Sequence, residues 1–551
     1  MLLNWLLAAA PIGVVIVLMI GLRRSAAAAG LAGWVAALAV AALRFGAGPE
    51  LIVLAQGKAL LFAGAVLYLI WVALWFYHVL KGAGAFDTLS HVLPGYVTDR
   101  ALQALLLAWA FGGFLEGVAG FGVPTALVAP LLVAAGYSPV AAAIMASIGE
   151  AWAVTFGGLG NALLALATAS QRQPLELGPT AALALGLAAL GGGLAVLWTV
   201  DGFSAIRRYF GAFVVMGAVI FLVQYGLSLT AFFPLAVLSA GFAAIVAAIW
   251  LGRGRGALAP LSGIRATPAP SEPLGEGKDA LPQSAAGAGM RAAKDSDPPP
   301  APATGSLPLW LALAPYVLLV IIVVVTQIYA PLTQALNTVM IKVDFPQMRT
   351  ALGYVTPAGT GRTISIFGAT GALMGYATLL SLALFAQQGR LPGGFGRALA
   401  ESARATARRA LPPTVGILAM VAMAVTMENA GMTLVLAQGL SQIAGRAFPL
   451  VSPYIGALGA FMTGSNVNSN VIFTSLQQTT AQLLGLNPVV ILAGQTTGGA
   501  VGGAFAPAKV MLACSTVGLT GQEGKVMKPV LVYGLIILAV VGVAALVMAG
   551  K

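Results

Sequence analysis

Apolar stretches about twenty residues long recur from one end of this chain to the other, and twenty residues is the length a helix needs to cross a bilayer. Lipid offers no hydrogen-bond partners to open backbone groups, so such stretches are helical unless they close into a barrel. A barrel is written as ten-residue segments of alternating polarity, and none is visible here. Only 8% of the 551 residues are charged, against about a quarter in an ordinary soluble domain. We therefore expect an all-α polytopic membrane protein of about twelve transmembrane helices. Its spans fall near 2–22, 25–43, 58–80, 139–170, 175–200, 210–229, 231–252, 307–329, 363–387, 410–430, 488–519 and 529–549.

Two further apolar stretches, 101–136 and 450–485, are interrupted midway by polar, glycine-rich clusters. These are Glu116-Gly-Val-Ala-Gly-Phe-Gly-Val-Pro124 and Thr463-Gly-Ser-Asn-Val-Asn-Ser-Asn470. Two half-length helices meeting at a polar tip describe a re-entrant hairpin, which a membrane tolerates only where protein encloses the tip. Residues 253–306 differ in kind: they carry Pro298-Pro-Pro300 and are rich in Ala, Gly, Ser and charge. That composition reads as a disordered cytoplasmic linker.

The net charge of +12 raises the question of nucleic acid, but most of it lies in loops between apolar spans, as orientation charge does. With the N-terminus outside, Arg23, Arg24, Lys81, Arg207, Arg208, the six basic residues of the linker, Arg390 to Arg409, Lys525 and Lys528 all fall inside. The lipid bilayer, not nucleic acid, is the implied partner. Arg23-Arg24 follow the first apolar stretch instead of preceding it, so that stretch reads as an uncleaved span and not as a signal peptide. Cys514 is the single cysteine, and no Cys/His grouping suggests a metal or cofactor.

At a constant offset of 347 residues, Ala83-Gly84 matches Ala430-Gly431, Leu89 matches Leu436, and Phe114 and Gly117 match Phe461 and Gly464. This register aligns both hairpin tips and the helices before them. It divides the chain into a first repeat (1–200), two linking helices (201–252), the linker (253–306) and a second repeat (307–551). An odd number of spans separates equivalent points, so the repeats are expected to be inverted, the signature of a secondary transporter.

Each hairpin is followed by a span that also reads as broken: Ile148-Gly-Glu-Ala-Trp-Ala-Val-Thr-Phe-Gly-Gly-Leu-Gly-Asn161 and Gln495-Thr-Thr-Gly-Gly-Ala-Val-Gly-Gly-Ala-Phe-Ala-Pro507. Glycine costs a helix about 1 kcal/mol relative to Ala, although it also permits close helix packing. A helix start presents free N–H groups and a positive dipole end, so four such breaks can cradle an anion. Gly120, Gly122, Thr125, Ser465, Asn466, Asn468, Asn470, Thr496, Thr497 and Lys509 are the candidate substrate-binding residues. The amide and hydroxyl groups among them suit a small molecule carrying a carboxylate and a hydroxyl, and equally a sodium ion. Ionisable groups inside spans are functional candidates, which singles out Glu116, Glu150 and Glu428 for proton coupling. Lys509 stands at a helix start, where the dipole disfavours a cation; it requires an anionic partner or else snorkels to the interface. His78 and His91 read as interfacial residues, and Arg349 and Arg362 as solvated loop charge.

Phe114-Leu-Glu-Gly-Val-Ala-Gly-Phe-Gly-Val-Pro-Thr-Ala-Leu-Val-Ala-Pro130 with Leu131-Leu-Val-Ala-Ala-Gly-Tyr-Ser-Pro139 resembles the hallmark stretch of the L-lactate permease family. Thr463-Gly-Ser-Asn-Val-Asn-Ser-Asn-Val-Ile-Phe473 with Leu476-Gln477, and Gly518-Leu-Thr-Gly-Gln-Glu-Gly524, are similar to its later motifs. The resemblance implies uptake of lactate and glycolate by proton symport across a bacterial or archaeal plasma (inner) membrane. It also implies a homodimer working by an elevator motion. Glu150 and Ala508-Lys509 depart from the pattern expected of the family, and both flank the expected site.

A sodium-coupled carboxylate carrier is the alternative within transport. A channel would need a continuous polar pore. An enzyme would need a nucleophile, metal set or cofactor motif, and no HExxH, GxSxG or Walker sequence is present.

Overall fold

The computed structural model describes residues 2–22, 24–118, 122–253, 307–361, 363–391, 393–520 and 522–549. The chain is helical almost throughout these segments. Among the described residues ten helices are long and apolar enough to cross a bilayer, or up to twelve when two bent pairs each count as one span. The protein is thus a multi-pass, mostly helical membrane protein, and the expectation of an all-α chain is corrected by a short β ribbon in its second half. The expected linker lies, from residue 254 onward, outside the described residues.

In the first half, α1 (Leu2–Ile16), α2 (Ala26–Arg44) and α3 (Pro49–Gly82) lead to a turn at Ala83–Gly84 and a short α4 (Ala85–Val92). α5 (Arg100–Ala104) runs through a π-helical stretch, Leu105–Phe111, into α6 (Gly112–Val118), and α7 (Val123–Ala134) returns along it. α8 (Pro139–Gly149) and α9 (Gly157–Ser170) meet at a bend of 56°. α10 (Pro174–Ser228) reverses at Asp201–Gly202, where Gly202 has φ 57°. Gly178 consequently lies beside Ser228, Gly186 beside Phe221 and Gly193 beside Phe213, so the stretches expected as spans at 175–200 and 210–229 form an antiparallel pair with a two-residue turn. α11 (Ala236–Arg253) closes this half.

The second half opens with α12 (Leu309–Ile328) and α13 (Ala330–Leu336). The stretch expected as a loop here forms a narrow antiparallel ribbon, pairing Met340 with Ser365, Asp344 with Thr360 and Met348 with Thr356. It is pinned to the start of α3: Ala351 N–H donates to the Gly46 carbonyl at 2.8 Å, and Phe345 lies beneath the Lys58 ammonium. α14 (Thr370–Gln387), α15 (Gly394–Asn429) and α16 (Met432–Ala444) follow, then α17 (Phe448–Thr463), which α18 (Asn466–Leu483) folds back against. α19 (Pro488–Ala504), α20 (Pro507–Thr516) and α21 (Glu523–Ala549) complete the chain. The turns before α4 and α16 lie 347 residues apart, and each puts its glycine in the left-handed region (Gly84 φ 78°, Gly431 φ 79°).

One expected break is not where the glycines are. Gln495 to Gly503 stay helical within α19, and the chain leaves the helix only at Phe505–Ala506. The physical reason is packing against α17. A Cβ on Gly498 would stand 1.9 Å from the Pro453 carbonyl oxygen, and one on Gly502 2.4 Å from that of Ala457. These glycines let two helix backbones touch.

Candidate functional site

Four helices begin at one cavity. Gly122 is the N-terminal cap of α7, Gly157 and Gly158 start α9, Ser465 caps α18, and Ala508 and Lys509 lie in the first turn of α20. All of these residues, with Glu116, Asn161 and Asn466, line a cavity of about 310 Å³. A helix start carries a positive dipole end, so the space these starts line favours an anion.

Local backbone geometry produces these starts. Gly158, Leu159 and Gly160 are all left-handed (φ 52°, 59° and 82°), which unwinds the first turn of α9 and restarts regular helix at Asn161. Leu159 is one of two non-glycine residues with positive φ among those described, a conformation that costs a leucine about 1–2 kcal/mol. At the opposite wall, the Ser465 hydroxyl accepts the Asn468 N–H at 3.4 Å and closes the tip between α17 and α18.

The charged centre is an ion pair. The Lys509 ammonium contacts Glu150 Oε1, and the Glu150 side chain is fully buried. Thr125 Oγ1 donates to the same carboxylate oxygen at 2.6 Å. A lone ammonium in a buried helix start would meet both a desolvation cost and an unfavourable dipole; Glu150 offsets both. Lys509 therefore turns inward to a glutamate instead of snorkelling. Glu116 is near enough to interact electrostatically with both members of the pair, and its Oε2 is buried without a hydrogen-bond partner among the described residues.

The remaining expected site residues divide into three groups. Ser465, Asn466, Gly122 and Lys509 line the cavity, whereas Thr125 does not and bonds Glu150, the partner of Lys509. Asn470, Thr496 and part of Asn466 hold α18 to its neighbours. Asn466 Nδ2 donates to Thr155 Oγ1 at 3.1 Å, and Asn470 Nδ2 donates to Thr496 Oγ1 and to the Ala162 carbonyl, both at 2.9 Å. Asn468 and Thr497 are buried and line no described cavity, and Asn468 Oδ1 and Thr497 Oγ1 have no hydrogen-bond partner among the described residues. Gly120 lies outside the described residues, as does Arg362.

Glu428 does not join Glu116 and Glu150. It ends α15, accepts the Ser475 hydroxyl at 2.9 Å, and lines a separate polar cavity of about 270 Å³ with Tyr354 and Gln478. His78 bonds the Leu74 carbonyl and Thr406, and Arg349 lies exposed on the ribbon. No group of three metal-ligating side chains occurs among the described residues. Two residues of the site were not singled out from sequence, Thr155 and Asn161. The available signal for Asn161 was its place directly after Gly-Gly-Leu-Gly, where a helix restarts.

The family model described as L-lactate permease matches residues 4–550. The L-lactate permease of Escherichia coli strain K12 is 28% identical over 531 residues, covering 93% of this chain and 90% of that protein. The L-lactate permease of Bacillus subtilis strain 168 is 28% identical over 497 residues, covering 86% and 83%. The glycolate permease GlcA of E. coli K12 is 26% identical over 516 residues, covering 88% and 84%. Among solved structures, the Alcanivorax borkumensis YdaH transporter aligns over 89% of this chain and 86% of its own, at 18% identity and a TM-score of 0.42, a likeness too distant to bear on the site.

Proposed function

The chain belongs to the L-lactate permease family, and from that membership and its cavity we propose that it imports L-lactate and related 2-hydroxy monocarboxylates such as glycolate by proton symport across the bacterial inner membrane. The observation that carries this reading is the convergence of four helix starts on a cavity containing one buried ammonium. A carboxylate entering there takes its charge complement from helix dipoles and from Lys509. The relatives named for lactate and glycolate transport support the substrate class.

Coupling follows from charge accounting. A substrate carboxylate that engages Lys509 displaces Glu150, which is then a buried carboxylate without a partner. Such a group is costly while ionised, and a proton taken up by Glu150 removes the cost. Anion and proton thus enter together and leave together.

In this reading the two halves are inverted repeats, each contributing a re-entrant hairpin and a broken helix. The unit holding the cavity moves as an elevator against the rest. The layer between α9 and α18 on one side and α3 and α15 on the other supports this, being built largely of small apolar groups such as Ala63, Ala162, Ala165, Val421, Val467 and Val471. A homodimer would supply the fixed frame. The test is uptake of labelled lactate into proteoliposomes under an imposed pH gradient, with no sodium gradient. Accumulation is expected; accumulation driven by sodium alone overturns the coupling, and transport of neither lactate nor glycolate overturns the substrate class.

A further inference from the structure

Asn161 lines two cavities. One is the central cavity with Lys509; the other, of about 200 Å³, is lined by Tyr68, Thr168, Ser365 and Thr370 and runs beneath the ribbon. Asn161 is 5% exposed, and its Oδ1 is buried with no hydrogen-bond partner among the described residues. An unpaired buried acceptor is costly, and it is held where the unwound start of α9 places it. The other amides nearby differ. Asn466 spends its Nδ2 on Thr155 and Thr496, and its Oδ1, also without a hydrogen-bond partner among the described residues, packs at Gly499, where a Cβ would stand 2.0 Å away. Asn470 is engaged through Nδ2 and, more loosely, accepts from Gln495 at 3.4 Å. Asn161 and Asn466 are thus the two cavity-lining amides whose acceptors lack a partner among the described residues, and that of Asn466 is packed against Gly499.

We propose that Asn161 reads the 2-hydroxyl group of the substrate. Resting on the carboxylate reading above, this assigns the two ends of a hydroxy acid to different residues lining one cavity. The carboxylate faces Lys509 and the helix starts, and the hydroxyl donates its proton to Asn161 Oδ1. A site with a buried acceptor discriminates against an analogue that cannot satisfy it, because binding the analogue leaves that acceptor unpaired. The chemical class selected is a short carboxylate bearing a hydroxyl donor beside it. An unsubstituted carboxylate of the same length lacks the donor, and a 2-keto acid offers only another acceptor.

Competition against labelled lactate uptake tests this, with unlabelled lactate, propionate and pyruvate as probes. In the unaltered protein lactate should compete better than either analogue, by about threefold to tenfold for one hydrogen bond of ordinary worth. Asn161→Ala should bring the three inhibition constants together, and Asn161→Ser, which keeps an acceptor, should restore part of the gap. A general loss of folded protein lowers uptake but leaves the ratio of constants unchanged, so the ratio separates recognition from structure. Equal competition by propionate in the unaltered protein overturns the assignment, as does an unchanged ratio in Asn161→Ala. Failure of the unaltered protein to transport lactate at all is a different outcome, and it strikes the proposed function instead.

Discussion

The broken helices α8–α9 and α19–α20 flank the same cavity and come from similarly glycine-rich sequence, yet they break in different ways. The first leaves the helix at Glu150, makes a short 3-10 turn over Ala151–Ala153, and passes through three left-handed residues before α9 resumes. The second keeps its glycines helical and opens only at Phe505–Ala506. Their neighbours explain the difference. α19 lies so close to α17 that two of its glycines, Gly498 and Gly502, have a carbonyl oxygen where a Cβ would stand. Gly158 has no neighbour nearer than 3.9 Å at that point and is used for its positive φ. Glycine density thus marks where a side chain is excluded, and the partner helix decides whether the reason is contact or conformation.

The sharpest way to break this comparison is to unbalance the charges that the two breaks hold together. Lys509→Ala strands Glu150, and removing one member of a buried pair costs about 3–5 kcal/mol. The variant should melt well below the parent in detergent and show a raised apparent Km for lactate. A Glu150→Gln, Lys509→Met double variant should recover the melting temperature without recovering transport. The packing half is tested by Gly498→Ala, whose methyl would meet the Pro453 carbonyl. An overpacking cost of about 1–3 kcal/mol is expected, and parental stability would refute the close approach of α19 to α17. Smaller effects of opposite sign separate the two uses of glycine. Gly160→Ala, at φ 82°, should destabilise by about 1–2 kcal/mol. Gly503→Ala, helical and with open space at its Cβ, should stabilise by about 0.5–1 kcal/mol. Thermal unfolding followed by intrinsic fluorescence reads both.

Much of this was legible because lipid removes alternatives: apolar length meant helix, and a polar tip inside an apolar stretch meant enclosure. Glu150 and Lys509 stood out as charges with no reason to be in a membrane, and their pairing is the reason. What the sequence did not carry was direction. Asn470 and Thr496 have the chemistry of ligand contacts, but their side chains are spent on Ala162 and on each other. Glu428 carries the same ionisable group as Glu116 and Glu150, yet it ends a helix that faces another cavity. Asn161 escaped notice because its role depends on the unwound turn before it, and a run of two glycines, a leucine and a glycine does not say which way the next side chain will point.

The central claim is that Glu150 exchanges Lys509 for a proton when the carboxylate binds. The most direct measurement compares two modes of transport by Glu150→Gln in proteoliposomes: exchange of labelled against unlabelled lactate, and net accumulation driven by a pH gradient. The amide keeps an acceptor for Thr125 but cannot carry the proton, so exchange should persist while gradient-driven accumulation is lost. Accumulation at the parental level in this variant would contradict the account and remove Glu150 from the coupling.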